Sequence, residues 1–289
     1  SYPLYGGIRQ LVIDYGWCPH IPPEVGGRFV SVECIEFSQE YGAPDVPYDL
    51  PAALRHMPKL RSLRFWPNDR DGRVQRFPPW FAELQLLELY TGASGGQVAW
   101  DMDDACLPRS LEFLEVDGEN LSLTCVRRLP RLRELHTYDA VENCPAWLHE
   151  VTSLRRLHMG DEAGIDLDGC VDVLRRMSLE AITSTRDVWS DDDEAAVVPP
   201  AEFTNALERL VVGTPCGASL RELNISGNKL SHVPDCFRGL QLQVLNISDC
   251  GVEAIPSWIA ELPLVALDLA GNNDISTLPA SLQTVTSLR

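Results

Sequence analysis

The chain has 289 residues, 45% hydrophobic and 23% charged, a length and balance that exclude both a minimal stapled scaffold and a disordered or fibrous polymer. Lysine plus arginine number 24 against 42 for aspartate plus glutamate, and the resulting charge of -18 disfavours nucleic acid and anionic lipid as partners. Basic or neutral protein surfaces are left, and no run approaches the roughly 18 consecutive apolar residues of a membrane helix.

Taken in chain order, short apolar cores recur from one end to the other. They read IRQLVI from Ile8, VECIEF from Val32, LRSLRF from Leu60, LQLLEL from Leu84, LEFLEV from Leu111 and LRELHT from Leu132. LRRLHM from Leu154, LEAITS from Leu179 and LERLVV from Leu207 follow, then more regular copies from Leu220, Leu242 and Leu264 and a truncated one at Leu288. Each core predicts a short strand with alternate side chains turned inward. The last three full copies also repeat Asn228, Cys250 and Asn272 where the chain leaves the strand, a place where a polar side chain can satisfy orphaned backbone groups. Pro234, Pro256 and Pro279 then favour an extended or turn-like return over a long helix.

One step is anomalous: the 13 residues from Leu207 to Leu220 cannot hold a strand, a turn and a return segment, which predicts an out-of-register strand or a deleted stretch. Just upstream, TRDVWSDDDEAAVVPP, residues 185 to 200, reads as a solvated acidic loop. Its contiguous carboxylates make a poor cation cage.

A tandem L-x-x-L-x-L-x-x-N/C-x-L pattern resembles the leucine-rich repeat family, and nearly the whole chain can be laid on it. The resemblance implies an α/β solenoid: a horseshoe with a parallel β-sheet on the concave face and irregular or short helical segments on the convex face. The phrase NCPAWLHEVTSLRRLHM, with SWIAELPLVAL and LPASLQTVTSLR, is similar to the repeat domains of plant intracellular nucleotide-binding immune receptors. Cytosolic signalling scaffolds with 22 to 23-residue repeats resemble Leu220 to Leu288 equally well. The organisation expected is irregular repeats over 1–184, an acidic loop with an irregular repeat over 185–219, and regular repeats over 220–289, truncated at the C-terminus. A solenoid normally closes with a polar cap, so a fragment of a longer protein is expected, with an intramolecular contact to its missing domains as one role of the array.

Little in the sequence points to catalysis. The six histidines have no metal-protease spacing, the glycines of GASGG (92 to 96) are not followed by Lys-Ser or Lys-Thr, and no G-x-S-x-G elbow occurs. The expectation is no enzyme, no cofactor and no metal site. His136 and His158 fall at equivalent repeat positions, so they read either as a metal or pH-sensing pair or as two ordinary strand side chains. Nine cysteines without a close pair read as reduced core residues in the cytoplasm, and the sequons at Asn120, Asn224 and Asn246 are of a kind that arises by chance.

What repeats supply is a surface. One outward column, four residues after each repeat start, runs through Arg64, Glu88, Glu115, His136 and His158, and the next, six after the start, through Trp66, Tyr90, Asp117 and Tyr138. Aromatics and arginine are the residue types that most often dominate interface energy, so these nine residues are the candidate protein-binding site on the concave face. Asp101, Asp103, Asp104, Glu112, Glu115, Asp117 and Glu119 lie nearby and favour a basic partner, unless arginines of the next repeat neutralise them. Asn224, Ser226, Asn246 and Ser248 display only small polar groups and read as scaffold.

Overall fold

A computed structural model describes residues 7–14, 26–38, 50–65, 75–91, 100–101, 107–116, 123–137, 144–161, 167–186 and 199–288. The chain divides into two compact units, Ser1–Leu135 and His136–Arg289.

The apolar cores become strands: β1 (Gln10–Asp14), β2 (Cys34–Ser38), β3 (Ser62–Phe65), β5 (Glu88–Thr91), β7 (Phe113–Val116), β8 (Glu134–Thr137), β9 (Arg156–Asp161), β10 (Ala181–Arg186), β11 (Glu222–Asn224), β12 (Val244–Asn246) and β13 (Ala266–Asp268). Among the described residues they form one parallel sheet of eleven strands in chain order, and β4 (Gln75–Arg76) pairs in parallel with β6 (Trp100–Asp101) in a separate two-stranded sheet. This is the α/β solenoid class that the repeat implies. A parallel ladder needs a crossover between every pair of strands, and the return segments supply it.

In the first unit, Leu63, Phe65, Leu89, Thr91, Leu114 and Val116 point inward and are buried. Short 3-10 helices at Ala52–His56 and Pro79–Glu83 return the chain and push Leu54 and Phe81 into the same layer. Burying such a side chain contributes about 1.5–3 kcal/mol. Prolines begin these turns: Pro51 and Pro78 hold the extended conformation just before them.

The repeat expected at Leu84 starts at Leu86 instead. Ser62 pairs with Glu88, Leu63 with Leu89 and Arg64 with Tyr90, and the amides of Leu87 and Glu88 both donate to the Arg61 carbonyl. Leu84, Leu86, Leu87 and Leu89 are all apolar, so the pattern fits two frames two residues apart. Packing selects the frame that puts Thr91 inside.

In the second unit the expected core from Leu207 is not a strand. Pro200–Val211 is a helix, α2, preceded by α1 (Leu167–Leu174) and followed by α3 (Pro215–Ser219). Phe203, Ala206, Leu207, Leu210 and Val211 form one buried stripe at helical spacing against Cys170, Val171 and Leu174 of α1. Arg209 reaches Asp172 at 3.2 Å across the two helices. β10 therefore pairs directly with β11, Ala181 beside Glu222, and the 13-residue step holds no displaced strand.

The regular repeats carry a polar rung inside the apolar stack. Asn272 Nδ2 donates to the carbonyls of Ile247 at 2.8 Å and Leu269 at 2.9 Å, while its Oδ1 accepts from the amides of Cys250 and Val252. Asn228 donates to the Ser184 and Ile225 carbonyls, and the Cys250 thiol to those of Ile225 and Ser248. The expected role of this position thus has its partners.

Candidate functional site

The open face of the sheet lies opposite the core. Because side chains alternate, residues two apart along a strand share it. In the first unit the parallel register aligns Val12, Glu36, Arg64, Tyr90 and Glu115 in one row. Tyr90 thus moves into the row expected for Glu88, and Glu88 moves back beside Ser62 and Phe113. The face assignment survives, since a two-residue slip keeps the side chain on the same side.

The Arg64 guanidinium carbon lies 4.2 Å from the Tyr90 ring centroid, and the Tyr90 and Phe113 rings lie 4.6 Å apart with a tilt of 34°. The result is a continuous ladder of guanidinium, phenol and phenyl across β3, β5 and β7. Burial pushes the Tyr90 hydroxyl above its ordinary range, and the Glu88 carboxylate beside it adds to the effect. Phe113 was not among the residues expected. Its signal is register: once Glu88 aligns with Ser62, Phe113 is the next residue of that row.

In the second unit the two candidate histidines meet. Their ring centroids are 4.8 Å apart and the rings stack at 28°. Among the described residues no group of three or more histidine, cysteine, aspartate or glutamate side chains is arranged to hold a metal ion. Beside them Arg156 makes two hydrogen bonds to the Glu222 carboxylate, at 2.7 and 2.8 Å. The bridge crosses Ala181, which is paired with both residues and small enough to be spanned. Further along, Asn224, Asn246 and Asp268 each accept the backbone amide two residues on, from Ser226, Ser248 and Ala270. These three side chains secure their own turns, which spacing alone shows as Asn-x-Ser, Asn-x-Ser and Asp-x-Ala.

Trp66, Asp117 and Tyr138 lie outside the described residues, as do GASGG and the acidic run Asp191 to Glu194. Of the acidic stretch from Asp101 to Glu119, only the side chains of Glu112 and Glu115 are described, both half-buried. Seven described cysteines are free thiols. Burial pushes Cys216 and Cys250 up to about 12 and Cys236 up to about 11, and a hydrogen bond with Cys170 is the main influence raising Cys144. Such thiols are poor nucleophiles. On the helical side, a groove lined by Arg175, Glu202, Asn205, Glu208, Arg209 and Val212 mixes both charges. No helix among the described residues is long and apolar enough to cross a membrane.

Parallel strands joined by short returns, an inward leucine set and a buried Asn/Cys rung define a leucine-rich repeat architecture. The family model described as Leucine Rich Repeat matches residues 219–240. Among solved structures, a crystal structure of an internalin from Listeria monocytogenes is 16% identical with a TM-score of 0.47, covering 91% of this chain and 75% of that one. A leucine-rich repeat protein from Leptospira interrogans is 16% identical with a TM-score of 0.34, covering 98% and 89%. No curated protein matches the chain.

Proposed function

We propose that this chain is a non-catalytic protein-binding module that engages a protein partner on the open face of its sheet. The observation that carries this reading is the row Glu36, Arg64, Tyr90 and Glu115, with Phe113 beside it. It gathers an aromatic pair, a guanidinium and carboxylates from four strands onto half-buried ground. Tyrosine and arginine are among the residue types that dominate interface energetics when a partner finishes desolvating them. Arg64, Glu88, Tyr90 and Glu115 form the centre of the proposed surface; Trp66, Asp117 and Tyr138, proposed with them from the repeat spacing, lie outside the described residues. In the second unit, the stacked pair His136 and His158 is a proposed binding surface of its own. The regular repeats, whose Asn224, Asn246 and Asp268 are committed to their turns, act as scaffold.

The setting we infer is the ligand-sensing or regulatory part of an intracellular defence or signalling receptor, located in the cytoplasm. The immune-receptor phrasing of residues 143 to 159 and the free cysteines support it. A bare signalling scaffold, or the substrate-binding arm of a modular kinase or ubiquitin ligase, uses the same face and differs in what the array is joined to.

The test is to pan a random peptide display library against the protein and map where the enriched peptides bind. Tyr90→Ala and Glu88→Lys are expected to weaken binding about tenfold, about 1.4 kcal/mol, with an unchanged melting temperature for Glu88→Lys. Arg238→Ala, on a return segment, should leave binding intact. Equal losses for Arg238→Ala, or losses that follow melting temperature alone, would overturn the reading.

A further inference from the structure

The open face of the first unit is lopsided in charge. Glu36, Glu88 and Glu115 stand on β2, β5 and β7, and the single cation among the outward residues of β2, β3, β5 and β7 is Arg64, already laid over Tyr90. Glu36 and Glu88 enter no ion pair among the described residues. A second, independent observation lies between them. Ser62, 8% exposed, shares the outward side of β3 with Arg64, sits in register between Cys34 and Glu88, and its hydroxyl meets no hydrogen-bond partner. A more than nine-tenths buried hydroxyl of this kind is one bond short of satisfaction.

We infer that this face takes a cationic side chain, arginine or lysine, from the partner protein, held by Glu36 and Glu88, by the Ser62 hydroxyl and by the aromatic shelf of Tyr90 and Phe113. The inference rests on the protein-binding reading above and adds the partner's chemistry. Arg64 shows the mode within the molecule, since its guanidinium carbon already lies 4.2 Å from the Tyr90 ring centroid. A ligand guanidinium repeats that arrangement, with its planar fork turned to a carboxylate and a hydroxyl that both accept. Glu36 and Glu88, in no ion pair among the described residues and facing one resident cation that lies on Tyr90, leave the local field attractive to a second one. An acidic or purely apolar segment would leave Glu36 and Glu88 desolvated beneath it and is disfavoured.

The test uses the whole chain and three short labelled peptides of equal length, alternating serine with arginine, glutamine or glutamate, followed by fluorescence anisotropy at fixed ionic strength. Only the arginine peptide should bind. The variant Glu36→Gln/Glu88→Gln should weaken it about tenfold or more, at about fivefold per half-exposed pair, while Glu202→Gln/Glu208→Gln, the same charge change on α2, stays within about twofold. Ser62→Ala should weaken arginine binding with little change in melting temperature. Equal losses for the two double variants would mean that only net charge is felt, and the inference falls. If panned peptides bind through Tyr90 yet the arginine peptide ignores Glu36 and Glu88, the protein-binding reading stands and the cationic partner is refuted. If neither class of peptide responds to any substitution on this face, both are refuted.

Discussion

At Asn272 one side chain makes hydrogen bonds as donor to Ile247 and Leu269 and as acceptor from Cys250 and Val252. Deleting a buried group that satisfies several others costs about 1–3 kcal/mol for each partner left unmade, less what water recovers. Asn272→Ala is therefore expected to lower unfolding free energy by about 2–4 kcal/mol in urea melts. Cys250 occupies the same rung with a weaker donor, so Cys250→Asn should be tolerated where Cys250→Ala loses about 1 kcal/mol; a Cys250→Asn more damaging than Cys250→Ala would refute the shared role. Backbone next to the rung sets its own limit. Gly271 has φ +71°, and a Cβ there would collide with the Asp249 carboxylate. The rung was legible in the sequence because its spacing and chemistry agree. The Asx turns of Asn224, Asn246 and Asp268 were hidden because an exposed polar side chain has the same sequence signature as one bonded two residues on.

At the scale of elements, the misread stretch from Leu207 to Leu220 shows why pattern alone runs out. LERLVV satisfies a loose strand template, yet its apolar positions extend back to Phe203 and Ala206 at helical spacing, with prolines at 199 and 200 just before and at 215 just after. Two periods compete, and the longer window decides. The close of this region depends on Thr214. Its hydroxyl donates to the Leu210 carbonyl at the end of α2 and accepts from the Gly217 amide in α3, so one buried oxygen joins both helices. Thr214→Ala is expected to cost about 1–2 kcal/mol, and Thr214→Ser to keep most of that, in the same urea melts. Equal losses for both would mean that the methyl group, not the hydroxyl, matters. The two-residue slip at Leu86 has a related origin: Thr91 fills an inward position where the template asks for leucine. Thr137 does the same in β8, and both are almost fully buried. A small inward polar residue blurs the apolar signal and leaves the face unchanged, so the membership of the open face could be read from sequence while the row could not.

Stacked repeats are stabilised mainly by their neighbours, so stability within the second unit should follow how well each repeat is covered. Leu223 and Leu245, Ile225 and Ile247, and Phe237 and Ile259 are all buried. The equivalent residues around β13, Leu267, Leu269 and Leu282, are only half-buried, and Leu278 is 58% exposed where Val233 and Ile255 are buried. The same leucine therefore contributes unequally by position, because transfer free energy scales with the apolar area removed from water. Phe237→Ala is expected to cost about 3–5 kcal/mol and Leu282→Ala about 1 kcal/mol. Hydrogen exchange reads the gradient directly: the amides of Glu222 and Val244 should exchange at least about tenfold more slowly than that of Ala266, which corresponds to about 1.4 kcal/mol of local opening energy. All three donate in the same way to the carbonyl of the residue just before the preceding strand, Glu180, Arg221 and Gln243, so hydrogen-bond geometry is held constant and coverage is the variable. Uniform protection across the three strands would show that the unit opens as one cooperative block, and the nearest-neighbour account of its stability would then be wrong.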